Sequence, residues 1–209
     1  MPLPAARLSP AASLDWREAR HWSERRRLAR LIQRRFAAEH DARITRFLPR
    51  LFGLWQQQTP LAAVGVRHAH RAPLFQEGYL DAPAEVHLGR RLGVEVPRAR
   101  IAEIGNLATA RRGLQGGLFL HLIAQLAAEG VGWVLFTAIP EVANGIRRLG
   151  IEPLPLCLAD PRWLDDAARR DWGRYYDRHP WVMAGDLQAA WHRLQADGRR
   201  PTLSGSAAR

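Results

Sequence analysis

The middle of the chain contains the pattern that most constrains the fold, two short apolar strands separated by one long apolar helix. The strands are residues 100–107 and 133–138, and the helix is residues 114–130, with Gly130 at its end. A connection that contains a helix of this length joins parallel strands, and such crossovers are right-handed. The pattern therefore predicts a parallel strand pair inside a sheet that carries helices on its faces.

The flanking segments extend this unit into a larger sheet. Further helices are predicted at residues 15–38, 84–93, 140–149 and 186–195, and further strands at residues 47–55, 62–67 and 151–158. Pro153 and Pro155 place the last of these strands at an edge of the sheet or at a bulge. We expect an α/β (α+β) fold in one domain, residues 14–195, with a flexible arm at 1–13 and a disordered tail at 196–209.

The composition suits one domain with an apolar core, since 47% of the 209 residues are hydrophobic. The single cysteine, Cys157, excludes an intrachain disulfide and reads as a buried strand thiol. The first residues lack an apolar signal segment, and no stretch is apolar enough to span a bilayer. These observations predict a cytoplasmic protein without a transmembrane segment.

The net charge is +11, every basic residue is arginine, and the basic helix near Arg25 and Arg35 holds much of the excess. Such a surface attracts an acidic protein, an anionic lipid or a nucleic acid, and it equally suits a solvated helix face. Nucleic acid is the least favoured of these partners because the chain contains no recognised nucleic-acid motif.

The first central strand carries two polar residues, Glu103 and Asn106, in otherwise apolar surroundings. A buried carboxylate has a high free energy unless it is paired, and burial raises its pKa toward values useful to a general base. Glu103 is therefore a candidate base, and Asn106 lies where the strand ends. The alternative is that both side chains lie on an exposed strand edge.

A basic, glycine-bearing loop, residues 111–117, joins this strand to the apolar helix. Backbone N–H groups and a helix N-terminus are suited to binding an anion, and Gly113, Gly116 and Gly117 permit close approach. The loop predicts a weak phosphate cradle, or else only a turn that lets the helix pack.

Several separated segments, in this order along the chain, resemble the thermostable hemolysin family and together cover most of residues 30–190. They are residues 74–81 (Leu-Phe-Gln-Glu-Gly-Tyr-Leu-Asp), 103–108 (Glu-Ile-Gly-Asn-Leu-Ala), 133–138 (Trp-Val-Leu-Phe-Thr-Ala), 172–177 (Trp-Gly-Arg-Tyr-Tyr-Asp) and 180–186 (Pro-Trp-Val-Met-Ala-Gly-Asp). That family resembles the GNAT acyltransferases, among them the acyl-homoserine lactone and N-acyl amino acid synthases.

The resemblance implies a sheet whose two central strands splay apart and admit an acyl-phosphopantetheine arm. The donor would be an acyl carrier protein or acyl-coenzyme A, the acceptor an amine or amino acid, and Glu103 the base. A backbone N–H near Leu107 or Ala108 would polarise the thioester carbonyl. The residues expected to hold the arm are Leu107, Ala108, Thr109, Arg111, Arg112, Gly113, Gln115, Gly116, Gly117 and Thr137.

Three departures from the GNAT pattern refine these expectations. The loop lacks the usual pyrophosphate spacing, which favours an acyl carrier protein as donor, docked at the basic helix, because its arm carries one phosphate. Ile146 occupies the place of the usual tyrosine acid, so Tyr175 or Tyr176, or water, would protonate the leaving thiolate. Asn106 stands near the place of an arginine in the lactone synthases, which argues against a lactone product.

The acceptor or acyl chain is expected to contact residues of the basic helix and the aromatic segments, namely Arg35, Phe36, Phe75, Tyr79 and Trp172. The aromatic cluster at 172–181 suits a lid over substrate and, equally, packing of the chain end on the sheet. His68 and His70 share a strand face without further ligands, so no metal site is expected. The competing function is a membrane-active lysin, or a binding protein on an acyltransferase scaffold without catalysis.

Overall fold

A computed structural model describes residues 14–148 and 150–198, and its centre is one mixed seven-stranded sheet with the order β1-β2-β3-β4-β5-β7-β6. The strands are β1 (Asp15–Glu18), β2 (Arg50–Gln56), β3 (Thr59–His68), β4 (Ile101–Thr109), β5 (Trp133–Ala138), β6 (Leu154–Leu158) and β7 (Trp181–Asp186). The predicted arm and nearly all of the predicted tail lie outside the described residues.

Helices cover both faces of this sheet, as predicted from the central pattern. They are α1 (Trp22–His40), α2 (Ala84–Leu92), α3 (Gln115–Ala128), α4 (Pro140–Arg147), α5 (Asp166–Asp171) and α6 (Leu187–Ala196). One face packs its apolar side chains against α3, α4 and α6, and the other packs against α1 and α2. In the part of the chain that the structure describes, no helix is both long and apolar enough to cross a membrane.

The two central strands, β4 and β5, run parallel but pair only over their first three residues. Ile101, Ala102 and Glu103 pair with Trp133, Val134 and Leu135. Beyond that point β4 continues on its β3 side and β5 on its β7 side, so the sheet opens between them. Glu103 is the last paired residue of β4 and therefore lies where the splay begins.

A β-bulge bends β4 just after the splay. Ala63 pairs with Ala108 and Gly65 with Gly105, so β3 contributes one residue where β4 contributes Asn106 and Leu107. Asn106 has a φ of 51°, in the left-handed region. Such a bulge leaves one residue outside the regular ladder and redirects the side chains that follow it.

Two strands differ from the sequence-based prediction. The predicted helix 15–38 begins only at Trp22, because Asp15–Glu18 forms an edge strand that pairs with β2 and buries Trp16. No strand is predicted between the aromatic cluster 172–181 and the helix 186–195, but Trp181–Asp186 forms strand β7, inserted between β5 and β6. The placement of β6 is as predicted, at the sheet edge with a register irregularity between Pro155 and Cys157.

His68 is a buried member of an ionic cluster. Its Nε2 lies 2.9 Å from Glu129 Oε2 and 3.1 Å from Arg50 Nη1. Arg50 also binds Glu18, so the cluster ties β1, β2, β3 and the end of α3 together. Residues 14–148 and 150–198 contain no group of side chains arranged to hold a metal ion.

Candidate active site

The splay between β4 and β5 opens into a cavity of about 430 Å³. That size and its mostly apolar lining are typical of small-molecule sites. Nine of the residues predicted for the site line it together: Phe36, Phe75, Glu103, Asn106, Leu107, Thr137, Trp172, Tyr175 and Tyr176.

Glu103 is the most buried of the three acidic residues that line this cavity, with only 2% of the residue exposed. Its Oε2 accepts a hydrogen bond of 3.1 Å from the backbone N–H of Phe75 and lies 3.6 Å from Arg67 Nη1. Arg67 is itself held by the carbonyl oxygen of Pro73, at 3.1 Å. The carboxyl group thus has few polar partners for so buried a position.

Burial raises the pKa of Glu103 to about 7. The Phe75 N–H, the Arg67 charge and the Gln76 amide stabilise the ionised form and lower the pKa, but burial outweighs them. Glu77 adds a smaller raising effect through its negative charge. A carboxyl group with this pKa exchanges protons readily at neutral pH, as a general base requires. Buried carboxyls with such pKa values are concentrated at functional sites.

The 3₁₀ turn Phe75–Tyr79 carries two of the groups around Glu103, and Glu77 fixes this turn. Glu77 accepts hydrogen bonds of 2.8 Å from the N–H groups of Leu74 and Ala84, and its carboxylate pairs with Arg98 at 2.6 Å. Burial opposes ionisation of Glu77, but these partners outweigh it and lower its pKa to about 2. The turn is therefore held rigidly against the cavity.

An aromatic cluster forms one wall of the cavity. Trp172 packs against Tyr175 at 5.1 Å, against Phe36 at 6.0 Å and against Phe75 at 6.1 Å between ring centroids. The backbone N–H of Arg174 donates to the carbonyl oxygen of His40 at the end of α1. The cluster therefore packs the late segment onto α1 and also lines the cavity, whereas its predicted role as a lid over substrate stays a prediction.

The two tyrosines predicted as acids have their hydroxyl groups engaged within the protein. Tyr175 donates to the carbonyl oxygen of Thr137 at 3.2 Å, and Tyr176 shares a hydrogen bond with Tyr79. Burial raises the pKa of both Tyr175 and Tyr176 further above the ordinary value of 10. A phenol is then a much weaker acid than a thiol, so this geometry does not support either as proton donor to a thiolate.

Asn106 lines the cavity but commits its side chain to the cavity wall. Its Oδ1 accepts the N–H of Leu48 at 2.8 Å, and its Nδ2 donates to the carbonyl oxygen of Arg46 at 3.4 Å. Gly65 permits this approach, because a Cβ there would lie 2.9 Å from Asn106 Oδ1. The amide positions residues 46–48, and the predicted catalytic role finds no support in these contacts.

Ten other residues predicted for the site do not line the cavity. Arg35 is half-buried and pairs with the cavity residue Glu39, and Tyr79 shares a hydrogen bond with the cavity residue Tyr176. Arg111, Arg112 and Gly113 form an exposed loop between β4 and α3. The remaining five are Ala108, Thr109, Gln115, Gly116 and Gly117, the last two of which border a separate apolar depression.

Sequence reasoning missed several residues that line the cavity. Arg67 and Gln76 lie beside Glu103, and Arg43, Thr45 and Arg46 belong to the segment that joins α1 to β2. Gln76 directly follows Phe75, which the sequence analysis predicts as a substrate contact. Only the folded position of Gln76, next to a buried carboxylate, marks it as a site residue. No sequence pattern distinguishes the cavity residues of segment 43–46. That segment reaches the site through contacts with Asn106, which is distant in the sequence.

The fold is shared with solved acyltransferases. The CoA-dependent acyl-homoserine lactone synthase BjaI, solved with SAM and isopentyl-CoA, is 12% identical with a TM-score of 0.65 over 94% of this chain and 95% of its own. FeeM, an N-acyl amino acid synthase from uncultured soil microbes, is 14% identical with a TM-score of 0.56 over 84% and 93%. These likenesses identify a GNAT-like fold with splayed central strands.

A third structure, an acyl-CoA N-acyltransferase from Pseudomonas aeruginosa, is 16% identical with a TM-score of 0.50 over 82% of this chain and 99% of its own. No curated protein matches the chain by sequence. The thermostable hemolysin family matches residues 19–191, a range that includes β4, β5 and every described element that lines the cavity. The chain therefore belongs to the thermostable hemolysin family.

Proposed function

We propose that the protein is an N-acyltransferase that moves a fatty acyl group from a phosphopantetheine thioester to an amine or amino acid. The observation that carries this proposal is the position of Glu103, a buried carboxyl with a pKa of about 7 in an aromatic-lined cavity, at the point where the two central strands part. The likeness of the fold to solved acyltransferases supports the same proposal.

The splayed strands supply groups for the thioester. Beyond Glu103 the facing edges of β4 and β5 no longer pair, so an extended pantetheine arm can hydrogen-bond there as an added strand. The bulge at Asn106 and Leu107 leaves backbone outside the β3 ladder, and the N–H of Leu107 is the candidate donor to the thioester oxygen. Thr137 on β5 adds a buried hydroxyl with no partner among the described residues.

The reaction balances with one proton carrier. The amine nitrogen attacks the thioester carbon, Glu103 accepts one proton from that nitrogen, and the carbon–sulfur bond breaks to release a thiolate. A thiol has an ordinary pKa of about 8.5, so a carboxylic acid with a pKa of about 7 can return the proton to the thiolate sulfur. No covalent intermediate with the protein is required, since proximity within the cavity supplies much of the rate.

An acyl carrier protein is the donor that the surface charge favours. Arg26, Arg30 and Arg34 recur every fourth residue on the exposed side of α1, opposite the buried Leu28 and Ile32. The C-terminal residues of the same helix line the cavity. An acidic carrier bound along these arginines would therefore have its arm directed toward the site.

The proposal is tested by intact-mass detection of acyl transfer. The protein is incubated with long-chain acyl carrier protein and, in parallel, with long-chain acyl-coenzyme A, each with a pool of amino acids and simple amines. Loss of the acyl mass from one donor with an N-acylated product supports the proposal. No transfer from either donor by folded protein would favour the alternative, a binding protein on this scaffold.

The variant Glu103→Gln removes the proton acceptor and keeps the shape of the side chain. We expect transfer to fall by roughly 10²- to 10⁴-fold with the fold preserved, because that is the usual contribution of a general base. Glu95→Gln, at an exposed glutamate outside the cavity, is the matched control and should be unaffected. Near-normal transfer by Glu103→Gln would reject the base assignment.

A further inference from the structure

Gln76 is a buried polar residue whose hydrogen bonding is incomplete. It is only 3% exposed, and it lines the cavity next to Glu103. Within residues 14–148 and 150–198, its side-chain oxygen Oε1 has no hydrogen-bond partner. A buried acceptor without a partner is unfavourable and rare in folded proteins, and each instance calls for a physical reason.

The residues on both sides of Gln76 are fixed by hydrogen bonds. It lies between Phe75, whose N–H donates to Glu103, and Glu77, which Arg98 and two backbone N–H groups hold in place. The Gln76 side chain also lies near enough to the Glu103 carboxyl to lower its pKa slightly. Its Oε1 is therefore an acceptor without a partner in the immediate neighbourhood of that carboxyl group.

Two neighbouring side chains that line the cavity thus each offer an acceptor, the Glu103 carboxylate and Gln76 Oε1. A carbonyl oxygen only accepts hydrogen bonds, so the missing partner must be a donor. A ligand that satisfies both groups must present two N–H or O–H groups from adjacent positions. A primary amine does this with a single nitrogen atom.

We infer that Gln76 selects primary amines as acyl acceptors, an inference that rests on the proposed N-acyl transfer. One N–H of the amine hydrogen-bonds to Gln76 Oε1 while Glu103 takes the other proton, which aims the nitrogen lone pair at the thioester carbon. The hydrogen on Gln76 is the one that the amide product retains. A secondary amine or an alcohol gives its only hydrogen to Glu103 and leaves Gln76 Oε1 unpaired.

The test compares three nucleophiles with the same body, phenethylamine, N-methylphenethylamine and 2-phenylethanol, with decanoyl-coenzyme A and decanoyl carrier protein as donors. Wild-type protein should prefer the primary amine strongly over both analogues. In Gln76→Leu that preference should shrink by roughly 10- to 100-fold, because the unpaired acceptor that penalises the analogues is gone. Gln188→Leu, at an exposed glutamine on α6, should keep the wild-type ratio.

The ratio separates this role from a general effect on Glu103, since weakening of the base slows all three nucleophiles alike. Gln76→Met serves as a second variant if Gln76→Leu fails to fold, as judged by circular dichroism. Transfer with an unchanged ratio in the folded variant would overturn the role of Gln76 and leave N-acyl transfer standing. Absence of transfer by wild-type protein to these nucleophiles and to the pool of amino acids and simple amines would overturn the proposed function, and the inference with it.

Discussion

At the scale of single residues, the site depends on how Glu103 is surrounded. Its burial, with only 2% of the residue exposed, opposes ionisation more strongly than the Phe75 N–H, the Arg67 charge and the Gln76 amide favour it. The sequence singles out this carboxylate because it lies within an apolar strand, where an unpaired charge has a high free energy. Its partners belong to residues 67–76, which only folding brings to β4.

The raised pKa of Glu103 makes stability depend on pH in a defined window. The folded protein keeps the carboxyl protonated up to a pKa of about 7, whereas the unfolded chain ionises it near its ordinary 4.5. The contribution of the Glu103 carboxyl to the free energy of unfolding is therefore fully present below pH 4.5 and is lost as pH rises through 7.

Relative to Glu103→Gln, we expect the unfolding free energy of the wild type to fall by about 3 kcal/mol over this window and then stay level. Denaturant unfolding of both proteins from pH 4.5 to 8 measures this, and the variant cancels the titration of other groups. A difference that does not change with pH would show that Glu103 has an ordinary pKa.

Arg67 sets the pH range in which Glu103 can act. Burial is the larger influence on this carboxyl, and the Arg67 charge, 3.6 Å away, opposes it by favouring the ionised form. In Arg67→Met the pKa of Glu103 should rise, so the midpoint of the rate–pH profile should move to higher pH. Arg71→Met, at an exposed arginine, should leave the midpoint in place; an unmoved midpoint in Arg67→Met would exclude this electrostatic role.

At the scale of elements, two irregular segments shape the cavity more than any helix or strand. The 3₁₀ turn Phe75–Tyr79 presents Phe75 and Gln76 to Glu103, and the bulge in β4 presents Asn106 to residues 46–48. Regular periodicity predicts neither, because a single turn and a single extra residue do not alter an apolar pattern. Both are stabilised by side-chain hydrogen bonds to backbone groups that are distant in sequence.

Glu77 is the side chain that stabilises the 3₁₀ turn. Glu77→Ala removes two backbone hydrogen bonds and the pairing with Arg98, and it should lower the unfolding free energy by about 2 kcal/mol. Urea unfolding measures this loss. Glu85→Ala, which removes only a contact with the same arginine, should cost less. Equal losses in the two variants would show that the backbone bonds of Glu77 contribute little.

At the scale of the whole molecule, charge and cavity meet at α1. The helix buries Leu28 and Ile32 against the sheet, exposes a line of arginines to solvent, and ends at residues that border the cavity. At 1.5 Å per residue, the exposed arginines Arg26, Arg30 and Arg34 extend over about 12 Å of helix. Part of the net charge of +11 is thus concentrated on one helix face that leads toward the cavity.

Neutralising this line should affect one donor selectively. In the triple variant Arg26→Gln, Arg30→Gln and Arg34→Gln, KM for acyl carrier protein should rise by roughly 10-fold, whereas KM for acyl-coenzyme A should stay near the wild-type value. The double variant Arg90→Gln and Arg91→Gln on α2 is the control of similar charge loss. An equal rise for both donors would indicate general damage to the site, and no rise would reject carrier docking on α1.

The sequence by itself determined the central strand–helix–strand unit, the edge position of β6 and the choice of Glu103, because each follows from local periodicity, proline chemistry or the cost of a buried charge. Tertiary structure alone decided the edge strand β1, the inserted strand β7 and the neighbours of Glu103. Strand pairing and cavity lining depend on contacts between residues far apart in the chain, and local sequence patterns do not predict those contacts. The same reason applies to the predicted tyrosine acids, which the geometry does not support, since only the fold reveals that Thr137 and Tyr79 occupy their hydroxyl groups.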